Sequence, residues 1–196
     1  AFAMDFSNQV IPVSESSGGT GSGLVNGGRT LHRGLELGFE FDLARLLRQS
    51  NYQFRWQLSG SHIRAAFNAD RYIAVGGERL NIAGKDTPYA PRLLLSSTLL
   101  FETPGGLGLS LSGNYTGAQY ADELNTTVAS ANGRVGRIPA FFVANANTWW
   151  RIPGTKLRIN LSVKNITDER YLVTRRPQGI RLGLPRFISG GAEIRF

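Results

Sequence analysis

The segment Arg186-Phe-Ile-Ser-Gly-Gly-Ala-Glu-Ile-Arg-Phe196 alternates apolar and polar side chains up to a terminal aromatic residue. Successive side chains of a strand point to opposite faces, so this alternation predicts a strand with one apolar and one charged face. On the apolar face lie Ala192, Ile194 and Phe196, and on the charged face lie Glu193 and Arg195. A strand of a transmembrane β-barrel, with lipid on one side and a polar lumen on the other, has this pattern, although the last strand of a soluble sheet shows it too.

The same two-residue period recurs along the chain. In Leu31–Leu43 the odd positions are mostly large and apolar, and the even positions are Gly, His, Glu or Asp. Three further segments alternate in this way: Tyr52–Ser59, Leu107–Ser112 and Leu157–Lys164. In three weaker candidates apolar residues fall on both faces and leave the register open: Phe2–Ile11, Arg92–Phe101 and Ala140–Ile152. The sequence therefore predicts an all-β protein with about eight antiparallel strands and no helix.

The composition is compatible with a barrel and excludes several other classes. The 196-residue chain has 24 Gly and no Cys, so neither a disulfide framework nor thiolate chemistry is expected. A mean hydropathy of −0.16 does not argue against a membrane protein, because half of each transmembrane strand is polar. The net charge is +8, but the Lys and Arg residues are scattered singly, so we expect no nucleic-acid partner.

The connections between the predicted strands alternate in length. From the C-terminus backwards, long and short segments follow one another: Val173–Arg181, Pro153–Thr155, Gln119–Ile138, Thr103–Gly106, Asp70–Tyr89, Ala44–Ser50 and Val13–Val25. Bacterial outer-membrane barrels have short periplasmic turns and long extracellular loops, whereas a soluble β-sandwich rarely keeps such order. The alternation favours an outer-membrane barrel whose last strand ends at the periplasmic side.

Two groups of motifs carry a family resemblance. The segment Val163-Lys-Asn-Ile-Thr-Asp-Glu-Arg-Tyr171, followed by Gly183-Leu-Pro-Arg186 and a terminal aromatic, resembles the C-terminal signature of TonB-dependent outer-membrane receptors. Upstream, Asn26-Gly-Gly-Arg-Thr-Leu-His-Arg-Gly-Leu-Glu36 resembles a strand of the same family. Two further segments are most similar to its ferric citrate receptor branch: Tyr120–Thr127 and Gly136–Ala140.

The resemblance implies a fold larger than this chain. A receptor of this family has about 22 strands and a lumen closed by a plug domain. At about 24 residues per strand and connection, such a barrel needs more than about 500 residues. We therefore expect residues 1–196 to be the C-terminal part of a plugged receptor barrel that lacks the plug and the N-terminal strands, and the start of the chain reads as the middle of a strand. A complete eight-stranded outer-membrane barrel with a structural or adhesion role is the alternative.

The resemblance also implies a function and partners. The expected role is TonB-dependent uptake of a ferric siderophore or ferric citrate, with the TonB energy-coupling system acting through the absent plug. The expected environment is the bacterial outer membrane, where lipid and lipopolysaccharide contact the barrel wall. We expect no cofactor or resident metal.

Catalysis is not expected from this sequence. The two histidines, His32 and His62, have no nucleophile motif beside them, although a few outer-membrane barrels are hydrolases. The adjacent acids Asp122 and Glu123 fall in a long connection, where a solvated pair is expected instead of a metal or acid/base site. The run Gly18–Gly23 lacks the strand and helix of a phosphate loop and reads as a flexible loop. For Asn165, Asp168 and Arg186 we expect a structural role in the turn and the lumen packing.

The candidate ligand residues lie in the last outer loop. Three arginines occur within the short segment Val173–Arg181, which has no acidic residue. Ferric citrate and similar chelates present carboxylates, which a guanidinium binds through two parallel hydrogen bonds. We therefore predict Arg175, Arg176 and Gln178 as ligand-binding residues. The alternative is that these arginines bind lipopolysaccharide phosphates or only solvate the loop.

Overall fold

The computed structural model describes residues 1–8, 10–12, 23–49, 51–176 and 179–196, with only the backbone described at positions 11 and 12. The part of the chain that it describes is built from strands and one short helix. In chain order these are β1 (Phe2–Phe6), β2 (Val10–Pro12), β3 (Leu24–Asn26), β4 (Thr30–Asp42), α1 (Leu43–Leu46), β5 (Gln53–Phe67), β6 (Tyr72–Val75), β7 (Glu78–Asn81), β8 (Leu93–Glu102), β9 (Leu107–Thr116), β10 (Gln119–Tyr120), β11 (Arg137–Ile138), β12 (Phe141–Arg151), β13 (Leu157–Lys164), β14 (Leu172–Thr174), β15 (Arg181–Leu182) and β16 (Phe187–Ile194). The predicted all-β class is confirmed.

Eight of the strands form one antiparallel sheet in the order β1-β4-β5-β8-β9-β12-β13-β16. Each strand pairs with the next one of the sheet along the chain, as in an up-and-down barrel wall. The two edge strands, β1 and β16, do not pair with each other in the described structure, so the sheet is open. A closed eight-stranded barrel requires that pairing, and the described structure does not contain it.

The register places large apolar side chains on one face of the sheet. Phe39 is opposite Leu58, and Leu99 is opposite Leu111. This apolar face remains exposed over much of its area: Leu35, Leu37, Phe39, Phe41, Leu107, Leu109, Leu111, Ile159, Leu161, Ile188 and Ile194. On the opposite, polar face Glu36 is opposite Ser61 and Asn145 is opposite Ser112. The sheet thus has one surface suited to lipid and one suited to water.

The weak strand candidates gain a definite register in the structure. Ala140–Ile152 becomes β12, whose Asn145 side chain donates a hydrogen bond from Nδ2 to Oγ of Ser112 at 3.3 Å. Arg92–Phe101 becomes β8. The first candidate, Phe2–Ile11, is not one strand, because β1 ends at Phe6 and a separate strand begins at Val10.

The predicted alternation of connection lengths is confirmed. At one end of the sheet the connections are four to ten residues long, and at the other end they are 22 to 25 residues long. One short connection contains the four-residue helix α1, whose first turn is capped by Asp42 accepting a hydrogen bond from the Arg45 amide. The expectation of no helix is wrong by this single turn, and no helix in the described ranges is long and apolar enough to cross a membrane. Most of the long connection Val13–Val25, including nearly all of Gly18–Gly23, lies outside the described residues.

Candidate functional site

Three of the long connections fold into ordered structure of their own. We call residues 68–92, 117–140 and 165–186, in their described parts, the loop cap. The first contains the hairpin β6–β7, closed by Gly76 and Gly77 with φ of 59° and 88°. Positive φ at both central residues is the requirement of a type I′ turn. The Gly-Gly pair within Asp70–Tyr89 is therefore a signal for this hairpin in the sequence, although the segment is predicted only as a long connection.

The apolar core of the described structure lies where the end of β5 meets the cap. Phe67, at the end of β5, packs with Ile73 and Ile82 of the first connection, and Leu124 of the second connection packs against them. Ala121 and Ile138, also from the second connection, are completely buried. The first two connections are therefore joined by a shared hydrophobic core, which loops rarely possess.

The expectation of a solvated Asp122–Glu123 pair is wrong. Asp122 is 1% exposed, and its Oδ1 accepts hydrogen bonds from the amide and the hydroxyl of Thr126 at 3.2 and 2.8 Å. The same oxygen accepts from the Leu124 amide at 3.0 Å, and Oδ2 accepts from Gly136 at 3.4 Å. Asp122 thus organises its own connection by capping backbone donors that would otherwise be buried without a partner.

Glu123 is fully buried and forms an ion pair with Arg71, whose side chain is 17% exposed. Arg71 begins the first hairpin and also lies over the Phe67 ring, with Cζ 5.7 Å from the ring centroid. A buried carboxylate requires such a partner because desolvation of the charge is costly. The ion pair therefore fixes the first connection of the cap to the second.

Further polar contacts join the same two connections. Asn125 accepts a hydrogen bond from the Asp86 amide and donates one to the Asp86 carbonyl, each at 2.8 Å. Lys85 Nζ donates to the Leu124 carbonyl at 2.9 Å. The Asp86 carboxylate also accepts two hydrogen bonds from Arg92 and thereby raises the pKa of that guanidinium. The first two connections therefore form one hydrogen-bonded unit.

Two of the predicted ligand residues, Arg175 and Arg176, lie together beneath the second connection. Each is 7% exposed. Arg175 donates from Nη1 to the Gly133 carbonyl at 3.1 Å and from Nη2 to the Arg137 carbonyl at 3.2 Å. Arg176 donates from Nε to the Ala121 carbonyl at 3.1 Å. The alternative that these two arginines only solvate the loop is wrong, while Gln178 lies outside the described residues.

The Arg176 guanidinium keeps two unused donors. Its Nη1 and Nη2 are buried and have no hydrogen-bond partner in the described structure, and the same holds for Nε of Arg175. Asp122, which follows the contacted Ala121 in the chain, accepts hydrogen bonds from backbone and Thr126 donors and none from Arg176 in the described structure. A buried cation with free donors is costly unless an anion neutralises it. Arg176 is therefore a buried cation whose two terminal nitrogens have no hydrogen-bond partner among the described residues.

The turn after β13 is organised by Asn165 and Asp168, as expected. Asn165 is 1% exposed, and its Nδ2 donates to the carbonyls of Glu169 and Leu184 at 3.0 and 2.8 Å. Its Oδ1 accepts from the Glu169 amide at 2.9 Å. Asp168 accepts from the Arg186 amide at 2.8 Å. These bonds tie the two ends of the last connection together, which confirms a structural role.

Close packing of Tyr171 on Gly183 also stabilises the last connection, residues 165–186. A Cβ atom at Gly183 would lie 1.9 Å from Cζ of Tyr171, so only glycine leaves room for the ring. The Tyr171 ring also stacks on Phe141 with 4.5 Å between centroids. The Gly183 amide donates to the Tyr171 carbonyl at 2.9 Å.

We predict that Gly183→Ala destabilises the last connection by about 1–3 kcal/mol, because the added methyl group displaces Tyr171 from Phe141. Hydrogen exchange of the Gly183 amide measures the change in the free energy of local opening. Gly38→Ala is the control, since a Cβ atom there meets nothing within 4 Å. Equal protection of the Gly183 amide in both variants would contradict the packing argument.

The two histidines are not brought together. His32 is opposite Ala65, whereas His62 is opposite Leu35, which places their side chains on different faces of the sheet. His32 Nε2 lies 3.2 Å from the Thr30 hydroxyl and its ring packs edge-on against Phe6. Among the described residues no group of three His, Cys, Asp or Glu side chains is placed to hold a metal ion.

Comparisons with known proteins agree with this architecture. A family model described as TonB dependent receptor-like, beta-barrel, matches residues 1–166. The ferric citrate transporter FecA in its unliganded form is 25% identical, with a TM-score of 0.70 over 97% of this chain and 27% of that chain. The ferric yersiniabactin uptake receptor FyuA from Yersinia pestis is 20% identical, with a TM-score of 0.65 over 89% of this chain and 25% of that chain. The outer membrane transporter YddB from Escherichia coli is 14% identical, with a TM-score of 0.64 over 88% and 26%. The chain thus spans about a quarter of the length of these solved proteins.

Proposed function

Because the chain belongs to the TonB dependent receptor-like β-barrel family, we propose that it is the C-terminal part of a receptor that imports a ferric chelate across the bacterial outer membrane. The observation that carries the proposal is the open eight-stranded sheet, in a chain that aligns over 97% of its length with 27% of a ferric citrate transporter. The plug and the remaining barrel strands would be supplied by the rest of the receptor. Energy coupling to TonB would pass through that plug.

The two faces of the sheet acquire different roles in this setting. The family is located in the outer membrane, so the apolar face is directed to lipid and the polar face to the lumen. The short connections then lie at the periplasmic rim and the loop cap lies outside the cell. The cap is the only part of the described chain that combines a buried core with buried charged groups, which suits it to ligand contact.

We infer that the chelate carries carboxylates, as ferric citrate does. Arg176 Nη1 and Nη2 are buried and have no partner among the described residues. The planar guanidinium could donate two parallel hydrogen bonds from these nitrogens to one carboxylate. The likeness to a ferric citrate transporter supports this choice. Arg175 would hold the second connection in place through its two backbone bonds, and Gln178 remains a further proposed ligand residue because its side chain is polar.

We predict that Arg175→Ala/Arg176→Ala/Gln178→Ala in the full receptor weakens ferric citrate binding by about 1–3 kcal/mol for each charged hydrogen-bond donor removed from the chelate. Titration of ferric citrate by intrinsic fluorescence measures the affinity. Arg170→Ala/Arg181→Ala is a matched control, because it removes two exposed arginines from the same cap.

Two outcomes separate ligand binding from damage to the cap. Arg176→Lys keeps the charge but loses the fork, so it should bind ferric citrate more weakly than wild type while keeping the hydrogen-exchange protection of the cap. Wild-type affinity in the triple variant at normal surface expression would remove these residues from the site.

A further inference from the structure

Two arginines stand directly opposite each other on the apolar face of the sheet. Arg33 of β4 is the cross-strand partner of Arg64 of β5, and both are exposed. The next pair on the same face is Leu35 with His62, after which the apolar face continues through Leu37. Like charges placed directly opposite on neighbouring strands repel each other, so this arrangement is unfavourable by itself.

Neither guanidinium is neutralised by the described protein. Arg33 and Arg64 form no ion pair or hydrogen bond among the described residues. Arg29, near the same end of the sheet, differs from these two arginines because its Nε and Nη2 both donate hydrogen bonds to the Asp5 carboxylate. The pair therefore presents two unneutralised positive charges at the edge of an apolar surface.

The height of the pair matches the outer boundary of the membrane. Nine positions along β4 separate Arg33 from Asp42 at the short-connection end, and nine positions along β5 separate Arg64 from Arg55. Nine residues at about 3.4 Å each extend about 30 Å along a strand. At a strand tilt of about 35–45° this corresponds to a height of about 22–25 Å, close to the height of about 25 Å of the apolar band of a barrel. Arg33 and Arg64 thus lie where the outer-leaflet headgroups begin.

We propose that Arg33 and Arg64 form a binding site for the phosphate of a glycolipid in the outer leaflet, of the lipid A type. A phosphate between the two guanidinium groups accepts hydrogen bonds from both and removes their repulsion. The exposed side chains of Leu35 and Leu37 below the pair contact the acyl chains of the same lipid. Charge complementarity at the top and apolar surface beneath it together fit a phosphorylated amphiphile. The site depends on the apolar face being directed to lipid, and it is independent of the chelate that the receptor carries.

The test is binding of bisphosphorylated lipid A to the purified full receptor in detergent, measured by the thermal shift and by titration. Arg33→Gln/Arg64→Gln should weaken this binding at least about tenfold, about 1.4 kcal/mol. Lipid A from which the phosphates have been removed should bind wild type and variant equally. Inorganic phosphate should not compete, because it lacks the acyl chains that contact the apolar face.

Three comparisons keep the result specific. Arg45→Gln/Arg48→Gln removes the same charge from exposed positions at the opposite end of the sheet and should leave the affinity unchanged. Arg33→Lys/Arg64→Lys keeps both positive charges and should retain most of the affinity for bisphosphorylated lipid A that the glutamine variant loses. Ferric citrate binding should be normal in all variants, so failure of the lipid site is distinguishable from failure of the proposed transport. Wild-type affinity for bisphosphorylated lipid A in the glutamine variant, or full competition by inorganic phosphate, would overturn the proposal.

Discussion

Asn165→Ala is expected to lower the free energy of opening of the last long connection by roughly 3–4 kcal/mol. The substitution removes three side-chain hydrogen bonds and leaves the backbone groups of Glu169 and Leu184 without these partners. It also places a residue with a Cβ and no compensating polar group at a φ of 51°. Both effects act on a residue that is 1% exposed, where water cannot replace the missing bonds.

Hydrogen exchange of the Glu169 amide in the full receptor measures this effect, because that amide donates to Asn165 Oδ1. Asn165→Gly relieves the backbone strain while still removing the hydrogen bonds, so it should recover only about 1 kcal/mol. Asn8→Ala is the matched control, since Asn8 has a φ of 56° but is exposed and accepts a side-chain hydrogen bond from Asn26. If Asn8→Ala and Asn165→Ala have equal effects on their own loops, burial of the Asn165 bonds is not the cause.

Arg71→Ala is expected to destabilise the association of the first two connections by about 3–5 kcal/mol. The change removes the guanidinium that neutralises the fully buried Glu123. It also removes the cation over the Phe67 ring at the centre of the cap core. The destabilisation should be confined to the cap, because the barrel strands are held by their own backbone ladders.

Exchange of the Ile82 and Leu124 amides reports on the two sides of this association, since they bond the Arg71 carbonyl and Asp122. Arg79→Ala in the same hairpin is the control, because Arg79 is exposed and lies over the Tyr72 ring. Arg71→Met/Glu123→Leu removes both charges and should be more stable than Arg71→Ala alone, as apolar replacement of a buried ion pair is often neutral. A double variant as unstable as the single one would show that packing, and not the buried charge, sets the cost.

The strands of the sheet were predictable because one face of each strand contacts lipid and the other contacts water. The segment predicted as Leu31–Leu43 is observed as the strand Thr30–Asp42. Because lipid contacts one face of this strand and water the other, apolar and polar residues must alternate, and this alternation is visible in consecutive residues of the sequence. The order of long and short connections follows in the same way from the two sides of the membrane. Where both faces of a strand are apolar, as in Ala140–Ile152, the register depended on the neighbouring strands.

The sequence by itself therefore determined the fold class, the strand periodicity and the end of the sheet at which the long connections lie, since each of these is a local property of the chain. Only the tertiary structure decided what the long connections do. Arg71 and Glu123 are 52 positions apart, and Arg176 and Ala121 are 55 positions apart. Whether such a charged residue is solvated or buried depends on which distant segment folds over it. No spacing or composition within one loop carries that information, and for this reason Asp122 and Glu123 looked solvated in the sequence and are buried in the fold.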